Sequence, residues 1–262
     1  MSAVYLILGA GDSGRADLIA QLVRTGLSPD DGPFGVYHSV ADAAASPDAY
    51  AALARLPSTS VALLPEDWPS GDTTPPILAG AATLVLSLDG HGDPLDQIEA
   101  AKDWIVGEGH TLARIITVID CALAQRAPKS LPWFEACIHF SDVVLLGNRS
   151  DDAKKWIHDY EKTLHRKALP ALIRLLKKGG RVDGWDEVLF PEARRLSLYF
   201  DPPEEITVDS VMEEGATLED ELPSKDAPEP LPGDAESDLY LQRLDSGQRR
   251  LRLPNIRELL SP

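Results

Sequence analysis

The sequence predicts an α/β domain built around a doubly wound, mostly parallel sheet. Short apolar runs alternate along the chain with longer segments of helical periodicity, and this alternation is typical of layered α/β folds. Several of the runs are almost uninterrupted and rich in β-branched residues, which favours interior strands covered on both faces. The chain has 262 residues, enough for one such domain and a tail.

The amino-terminal part opens with a strand, a glycine loop and a helix. The apolar run over residues 4–8 predicts a buried strand, and apolar residues at helical spacing predict a helix over 14–25. A second strand over 35–38, an alanine-rich helix over 41–55 and a third strand over 61–64 follow.

The next elements continue the same alternation. A strand is predicted over 83–88, and Pro94 suits the first turn of the amphipathic helix that begins there. The β-branched runs over 114–119 and 143–146 stop at an acidic residue and a glycine, respectively, as interior strands do. The remaining elements are a helix over 152–168, a strand over 172–176 and a short helix over 183–189.

The formal net charge of −17 is unevenly distributed along the chain. Residues 201–238 contain 14 acids and one lysine, whereas residues 239–262 contain five arginines and two acids. An acidic body and tail argue against nucleic-acid binding, because that affinity depends on Lys and Arg neutralising phosphates. Few aliphatic residues occur in the acidic stretch. We therefore predict one domain over 1–195 and an acidic, largely disordered tail over 196–262.

Other features point to a cytoplasmic protein. The apolar runs are far shorter than the ~20 residues that cross a bilayer, and Met1 does not lead into a cleavable signal segment. Cys121 and Cys137 form no CxxC pair, which fits a reducing compartment and core positions for both. We expect no membrane association and no haem, flavin or iron–sulfur cluster.

The loop after the first strand fits two phosphate-binding templates. Residues 9–16 read GAGDSGRA, which matches the dinucleotide fingerprint GxGxxG and also GxxxxG followed by a basic residue, as in a P-loop. A dinucleotide site needs an acid where the second strand ends, and this strand ends in His38 and Ser39. A P-loop needs Lys and then Ser or Thr, and the chain has Arg15 and Ala16. A tight turn that binds nothing is the third interpretation.

Two further motifs follow later strands. Residues 89–92 form a DxxG turn, in which the acid can hold magnesium through water and the glycine can donate its N–H to a γ-phosphate. His91 lies inside this turn and either faces the γ-phosphate or is an ordinary surface histidine. Residues 148–151 have the NxxD spacing of a guanine-recognition motif. Each motif alone could be a simple turn or helix cap, but three in this order, each after a strand, are more specific.

In these segments the chain resembles the CobW/HypB/UreG family of P-loop GTPases, which assist metal-centre assembly. The family loop GxxGSGKT aligns with residues 9–16, and the stretches LSLDGHGDP, ITVIDCA and SDVVLLGNRSD are similar to family segments. The similarity covers about residues 1–190. It implies a three-layer P-loop NTPase-like domain with GTP or GDP as ligand, together with magnesium, and a homodimer across the nucleotide face.

The resemblance also implies which residues form the site. Arg15 stands where the family has its phosphate-bridging Lys, Ala16 stands where it has a magnesium-ligating hydroxyl, and the family's GCxCC metal motif is absent. We therefore expect a guanine-nucleotide-binding module with a degenerate P-loop and weak or absent GTP hydrolysis, acting in regulation or metal-centre assembly. The expected site residues are Gly9, Gly11, Ser13, Gly14 and Arg15 for phosphate, Asp89 and Gly92 for magnesium and the γ-phosphate, and Asn148 and Asp151 for the base.

Two other functions stay open at this point. One is an NAD(P)-binding Rossmann oxidoreductase that uses GxGxxG, and the other is a nucleotide-free scaffold that acts through its C-terminal tail. Residues 239–262 place Leu and Tyr among arginines after the acidic stretch. This segment either binds a protein partner, folding as it docks, or folds back onto its own acidic domain.

Overall fold

The computed structural model divides the chain into two compact units. One unit is formed by Met1–Leu196 with Arg252–Pro262, and the other by Ser197–Leu251.

No helix within the described ranges is long and apolar enough to span a membrane. Most of the predicted disordered tail lies outside the described residues and stays a prediction. The residues that the structure describes are 1–71, 73–149, 153–201, 235 and 237–260.

The first unit is built on a seven-stranded sheet. Its strands are β1 (Ala3–Gly9), β2 (Phe34–His38), β3 (Thr59–Leu63), β4 (Thr83–Ser87), β5 (Thr111–Asp120), β6 (Val143–Gly147) and β7 (Leu172–Leu175). Their order is β3-β2-β4-β1-β5-β6-β7, and every neighbouring pair is parallel. The predicted α/β architecture with a mostly parallel sheet is confirmed. Because all strands run the same way, the loops that follow them meet at one edge of the sheet.

Helices cover the sheet and complete the layers. Along β1, Ile7 belongs to the core that includes Leu18 and Ile19 of the first helix, and the partly buried Tyr5 packs against that core, while the alternate residues point to the other face. The helices are α1 (Arg15–Gln21), α2 (Val40–Ala45), α3 (Pro47–Leu53), α4 (Pro94–Gly107), α5 (Cys121–Arg126), α6 (Leu131–His139), α7 (Lys154–Arg166), α8 (Trp185–Val188) and α9 (Ile256–Leu260). Helix α1 packs with α3, whereas α4 packs with α6.

Three local differences separate the structure from the sequence prediction. The predicted helix over 41–55 is two helices, since Pro47 lacks an N–H and disfavours helical backbone at Ser46, where α2 ends. The α-helical part of the predicted helix over 14–25 ends at Gln21 and continues as a π-helical turn. Helices α5 and α6 were not predicted, because α6 is largely buried and lacks a clear polar face.

The strand order does not favour the oxidoreductase interpretation. In a Rossmann sheet β1 lies beside β2, whereas here β4 separates the two strands. The glycine loop after β1 is therefore flanked by the loop after β4, which carries the DxxG turn.

Both cysteines are core residues, as expected. Cys121 and Cys137 are free thiols with no exposed surface. Burial raises the pKa of both thiols, that of Cys121 to about 12. Thiols held in this state are poor nucleophiles and poor metal ligands at neutral pH.

Candidate functional site

A cavity of about 510 Å³ opens at the carboxyl edge of the sheet. The loop after β1 forms one wall through residues 12–14, the loop after β6 forms another through Asn148 and Arg149, and the turn 177–180 after β7 closes a third side. Ligand pockets of proteins usually have volumes of roughly 300–1,000 Å³. The cavity is therefore large enough for a small organic ligand.

Among the described residues, basic side chains outnumber acidic ones in the lining of this cavity. Four basic side chains and two acids, Asp12 and Asp17, line it, and the ammonium group of Lys177 is paired with Asp183 over 2.5 Å. Asp12 is turned towards Ser46, whose hydroxyl donates to its carboxylate. In a chain of net charge −17, such a local excess attracts anions. The basic residues are Arg149, Lys154, Lys177 and Lys178.

Two glycines give the loop after β1 its shape. Gly9 has φ +141°, and a Cβ there would lie 2.6 Å from the carbonyl oxygen of Val118. Gly14 has φ +90° and caps α1. Both positions favour glycine, because side chains are strained at such φ values. Between them, the Ser13 hydroxyl is buried and has no hydrogen-bond partner among the described residues, although Ser13 lines the cavity.

The DxxG turn lies directly on the other face of this loop. The Gly11 amide donates to the carbonyl of Gly90 over 2.9 Å. A Cβ on Gly11 would lie 2.5 Å from Cε1 of His91, so the imidazole covers the glycine closely. The backbone donor that a phosphate would use at this position already has a partner within the chain.

Arg15 points into the interior and forms a buried ion pair. Its side chain does not line the cavity, and its Nη2 lies 2.5 Å from Oδ1 of Asp42. Nη1 donates to the Leu88 carbonyl and, over 3.3 Å, to the Ser87 hydroxyl. Burial lowers the pKa of Arg15, but the charges of Asp42, Tyr50 and Asp89 together with the hydrogen bond to Asp42 outweigh it, and the net pKa is raised. Burial raises the pKa of the Asp42 carboxyl, whereas the charge of Arg15 lowers it, and the net pKa is lowered. Both groups are therefore ionised.

His91, Asp89 and Ser39 complete this cluster, which we call the Arg15–Asp42 network. Nδ1 of His91 lies 3.3 Å from Oδ1 of Asp89 and 3.5 Å from Oδ1 of Asp42. These two carboxylates, as hydrogen-bond partners, raise the pKa of His91 to about 9. The Ser39 hydroxyl bridges the same carboxylates at 3.0 and 3.1 Å. Two cations thus balance two anions at neutral pH.

The network does not fit a divalent cation in this arrangement. Asp42, Asp89 and His91 present three ligand atoms within 4.8 Å of one another. However, the Arg15 guanidinium already pairs with Asp42, and a protonated His91 cannot donate a lone pair to a metal. Magnesium also requires oxygen ligands in near-octahedral geometry. The guanidinium of Arg15 and the imidazolium of His91 thus take the position beside Asp42 and Asp89 that a metal ion would need.

Seven of the nine predicted site residues fall into two groups in the structure. One group lines the cavity and the other lies at the network. Asn148 has φ +44°, and its Nδ2 donates over 2.9 Å to Oδ2 of Asp120. The carbonyl of Gly92 accepts a hydrogen bond from the indole N–H of Trp133 over 3.2 Å. Asp151 lies outside the described residues. The cavity group is Ser13, Gly14 and Asn148, and the network group is Gly9, Gly11, Arg15 and Asp89.

Sequence reasoning missed two important parts of this region. Asp42 is a single acid within the alanine-rich stretch 40–47, where it resembles an exposed helix residue, yet it has only 1% exposure. The turn 177–180 reads KKGG, and two lysines before two glycines at the end of the last strand were the available signal for a basic turn that lines the cavity.

The raised pKa of His91 predicts a pH-dependent stability. The group titrates near 6.5 when unfolded and about 9 when folded, so its contribution is complete below about pH 6.5 and is lost as the pH rises through about 9. The total is on the order of 3 kcal/mol. Urea unfolding at several pH values between 6 and 10 measures it, and the decline should be much smaller in His91→Gln. An equal decline in both proteins would contradict this assignment.

Comparisons with known proteins give remote similarities. The chain matches no protein-family model and no curated protein. It is similar to the crystal structure of Zn(II)-bound YjiA GTPase from E. coli, with 14% identity over 68% of this chain and 58% of that chain and a TM-score of 0.42. It is also similar to the signal recognition particle receptor FtsY from Elizabethkingia anophelis in complex with GDP, with 11% identity over 55% of this chain and 48% of that chain and a TM-score of 0.37. The chain thus spans about half of each matched structure, and such similarity does not extend to chemistry.

Proposed function

We propose that this chain is a guanine-nucleotide-binding module that hydrolyses GTP weakly or not at all and acts through its bound state, in regulation or in metal-centre assembly. The observation that carries the proposal is the cavity between the glycine loop and the Asn148 loop, which is lined by basic side chains. A nucleotide is an anion with a flat base, and this cavity combines basic side chains with a volume of about 510 Å³.

The base is proposed to bind near Asn148. This residue lines the cavity and begins the NxxD spacing that ends at Asp151. An aspartate at the end of this motif can accept two hydrogen bonds from the guanine edge, and the stem of Arg149 can cover the ring. Adenine presents a different edge, so the proposal includes selectivity for guanine.

The proposed lack of hydrolysis follows from the state of Arg15. Phosphoryl transfer depends almost entirely on positioning and on neutralising the charge that spreads over the transferred phosphate. Here the basic residue of the loop is paired with Asp42 inside the protein, and the next residue, Ala16, offers no hydroxyl for magnesium. The residues that would stabilise the transition state are therefore engaged or missing.

The first test measures binding and turnover together. Titration calorimetry and thermal shift of the full chain with GTP, GDP, ATP and NAD(P) should show stabilisation by guanine nucleotides only, because a ligand of the folded state raises the melting temperature. Phosphate release from GTP should stay at the uncatalysed level. Binding of none of these ligands would refute the proposed function, and multiple turnovers of GTP would refute its non-hydrolysing form.

A charge-reversal pair tests the location of the site. Lys178→Glu places a negative charge on the cavity wall and should weaken guanine-nucleotide binding at least about tenfold, which corresponds to about 1.4 kcal/mol. The matched control is Lys129→Glu, since Lys129 is exposed and is not among the residues that line this cavity. Equal affinities of the two variants, measured by calorimetry, would place the nucleotide elsewhere.

A further inference from the structure

We infer that the cavity selects guanine nucleotides with fewer than three phosphates and binds them without a divalent cation, because the chain itself occupies the half of the site that would hold a γ-phosphate and magnesium. This inference rests on the proposed function and specifies the ligand class of the same site. Three features of the described residues carry it.

The first feature is the cover over the glycine loop. In a P-loop the backbone amides of the loop cradle phosphates. Here the Gly11 amide donates to the Gly90 carbonyl over 2.9 Å, and the His91 ring lies against Gly11 so closely that a Cβ there would be 2.5 Å from Cε1. A phosphate oxygen at this position would have to displace both the turn and the imidazole.

The second feature is the internal carboxylate of Asp42. In a P-loop the basic residue after the last glycine reaches the β- and γ-phosphates. Asp42 binds the guanidinium of Arg15, and its other oxygen accepts from Ser39 at 3.0 Å and from the Gly90 amide at 3.3 Å. A carboxylate of the protein thus receives the donors that would otherwise face a terminal phosphate.

The third feature is the chemistry that remains on the open side. The buried hydroxyl of Ser13 has no partner among the described residues, and Ser13 lines the cavity. Among the described residues, four basic side chains and two acids line the cavity, and Lys177 is paired with Asp183. These basic side chains can offset part of the negative charge of a short phosphate chain without a metal.

The wild-type protein gives the primary test. Calorimetric titrations of the full chain with GMP, GDP and GTP, each in magnesium chloride and in EDTA, should show that GDP binds more tightly than GTP. Affinities should differ less than about twofold between the two buffers. Binding of GTP in magnesium that is as tight as that of GDP, or tighter, would overturn the inference while leaving the proposed function intact. Binding of no guanine nucleotide would overturn both.

A variant that uncovers the loop supplies the second test. His91→Ala removes the ring from Gly11, so the affinity for GTP relative to GDP should rise at least about fivefold. The control is His165→Ala, at an exposed position near the end of α7, which should leave the ratio unchanged. An unchanged ratio in a His91→Ala protein that is folded by circular dichroism would overturn the inference. If that variant does not fold, the wild-type titrations decide alone.

Discussion

Asp42→Asn is expected to destabilise the fold by about 3–5 kcal/mol, because it leaves the Arg15 guanidinium charged and without its counterion in the interior. Both side chains are almost inaccessible, with 1% exposure each. The substitution also weakens acceptors for the Ser39 hydroxyl and the Gly90 amide. Urea unfolding followed by circular dichroism at pH 7 measures the loss.

The double variant Arg15→Met/Asp42→Asn separates the ion pair from simple packing. Removing both charges eliminates the unpaired buried cation, and a flexible apolar side chain can fill much of the space of the arginine. The double variant should therefore be more stable than Asp42→Asn alone. If Asp42→Asn lowers the free energy of unfolding by less than about 1 kcal/mol, burying the Arg15 guanidinium without its counterion does not have the expected cost.

Asp142→Asn is expected to cost a similar amount, about 3–5 kcal/mol, at the opposite edge of the sheet. Asp142 has no exposed surface and accepts hydrogen bonds from the Ile115 amide at 2.9 Å and the Arg194 amide at 2.8 Å. It is also the carboxylate between Arg195, at 3.2 Å, and Arg114, at 3.6 Å. Without its charge, two buried or nearly buried guanidinium groups repel one another, and the segment after α8 keeps only its weaker attachments, such as the bonds from Arg114 to the Val188 and Glu192 carbonyls.

An exposed ion pair provides the matched control for this measurement. Glu135 pairs with Lys167 over 2.7 Å, and both side chains are more than two-fifths exposed. Solvent screens such pairs, so Glu135→Gln should change the free energy of unfolding by less than about 1 kcal/mol. Similar losses for Glu135→Gln and Asp142→Asn would show that burial does not distinguish these two acids.

The sequence predicted the site only in part, because some of its contacts arise from local sequence patterns and others form between residues that are distant along the chain. The glycine loop and the DxxG turn are local patterns, and parallel strands bring their carboxyl ends to one edge of a sheet, so the sequence could place both at that edge. The partner of Arg15 could not, because Asp42 lies 27 residues further along the chain on a helix whose alanine-rich sequence gives no sign of its orientation. His91 similarly comes close to Asp42 only because β2 and β4 are adjacent.

The sequence by itself determined the alternation of strands and helices, because apolar periodicity and glycine or proline positions are local properties. It also determined that the loop lacks a P-loop lysine and hydroxyl. Only the tertiary structure decided that β4 lies between β1 and β2, that Arg15 points inward and that the open cavity lies beside residues 177–180. Those outcomes depend on which strands pair and on which charges are buried together. A buried guanidinium needs a carboxylate as its partner, and the fold decides which carboxylate lies close enough.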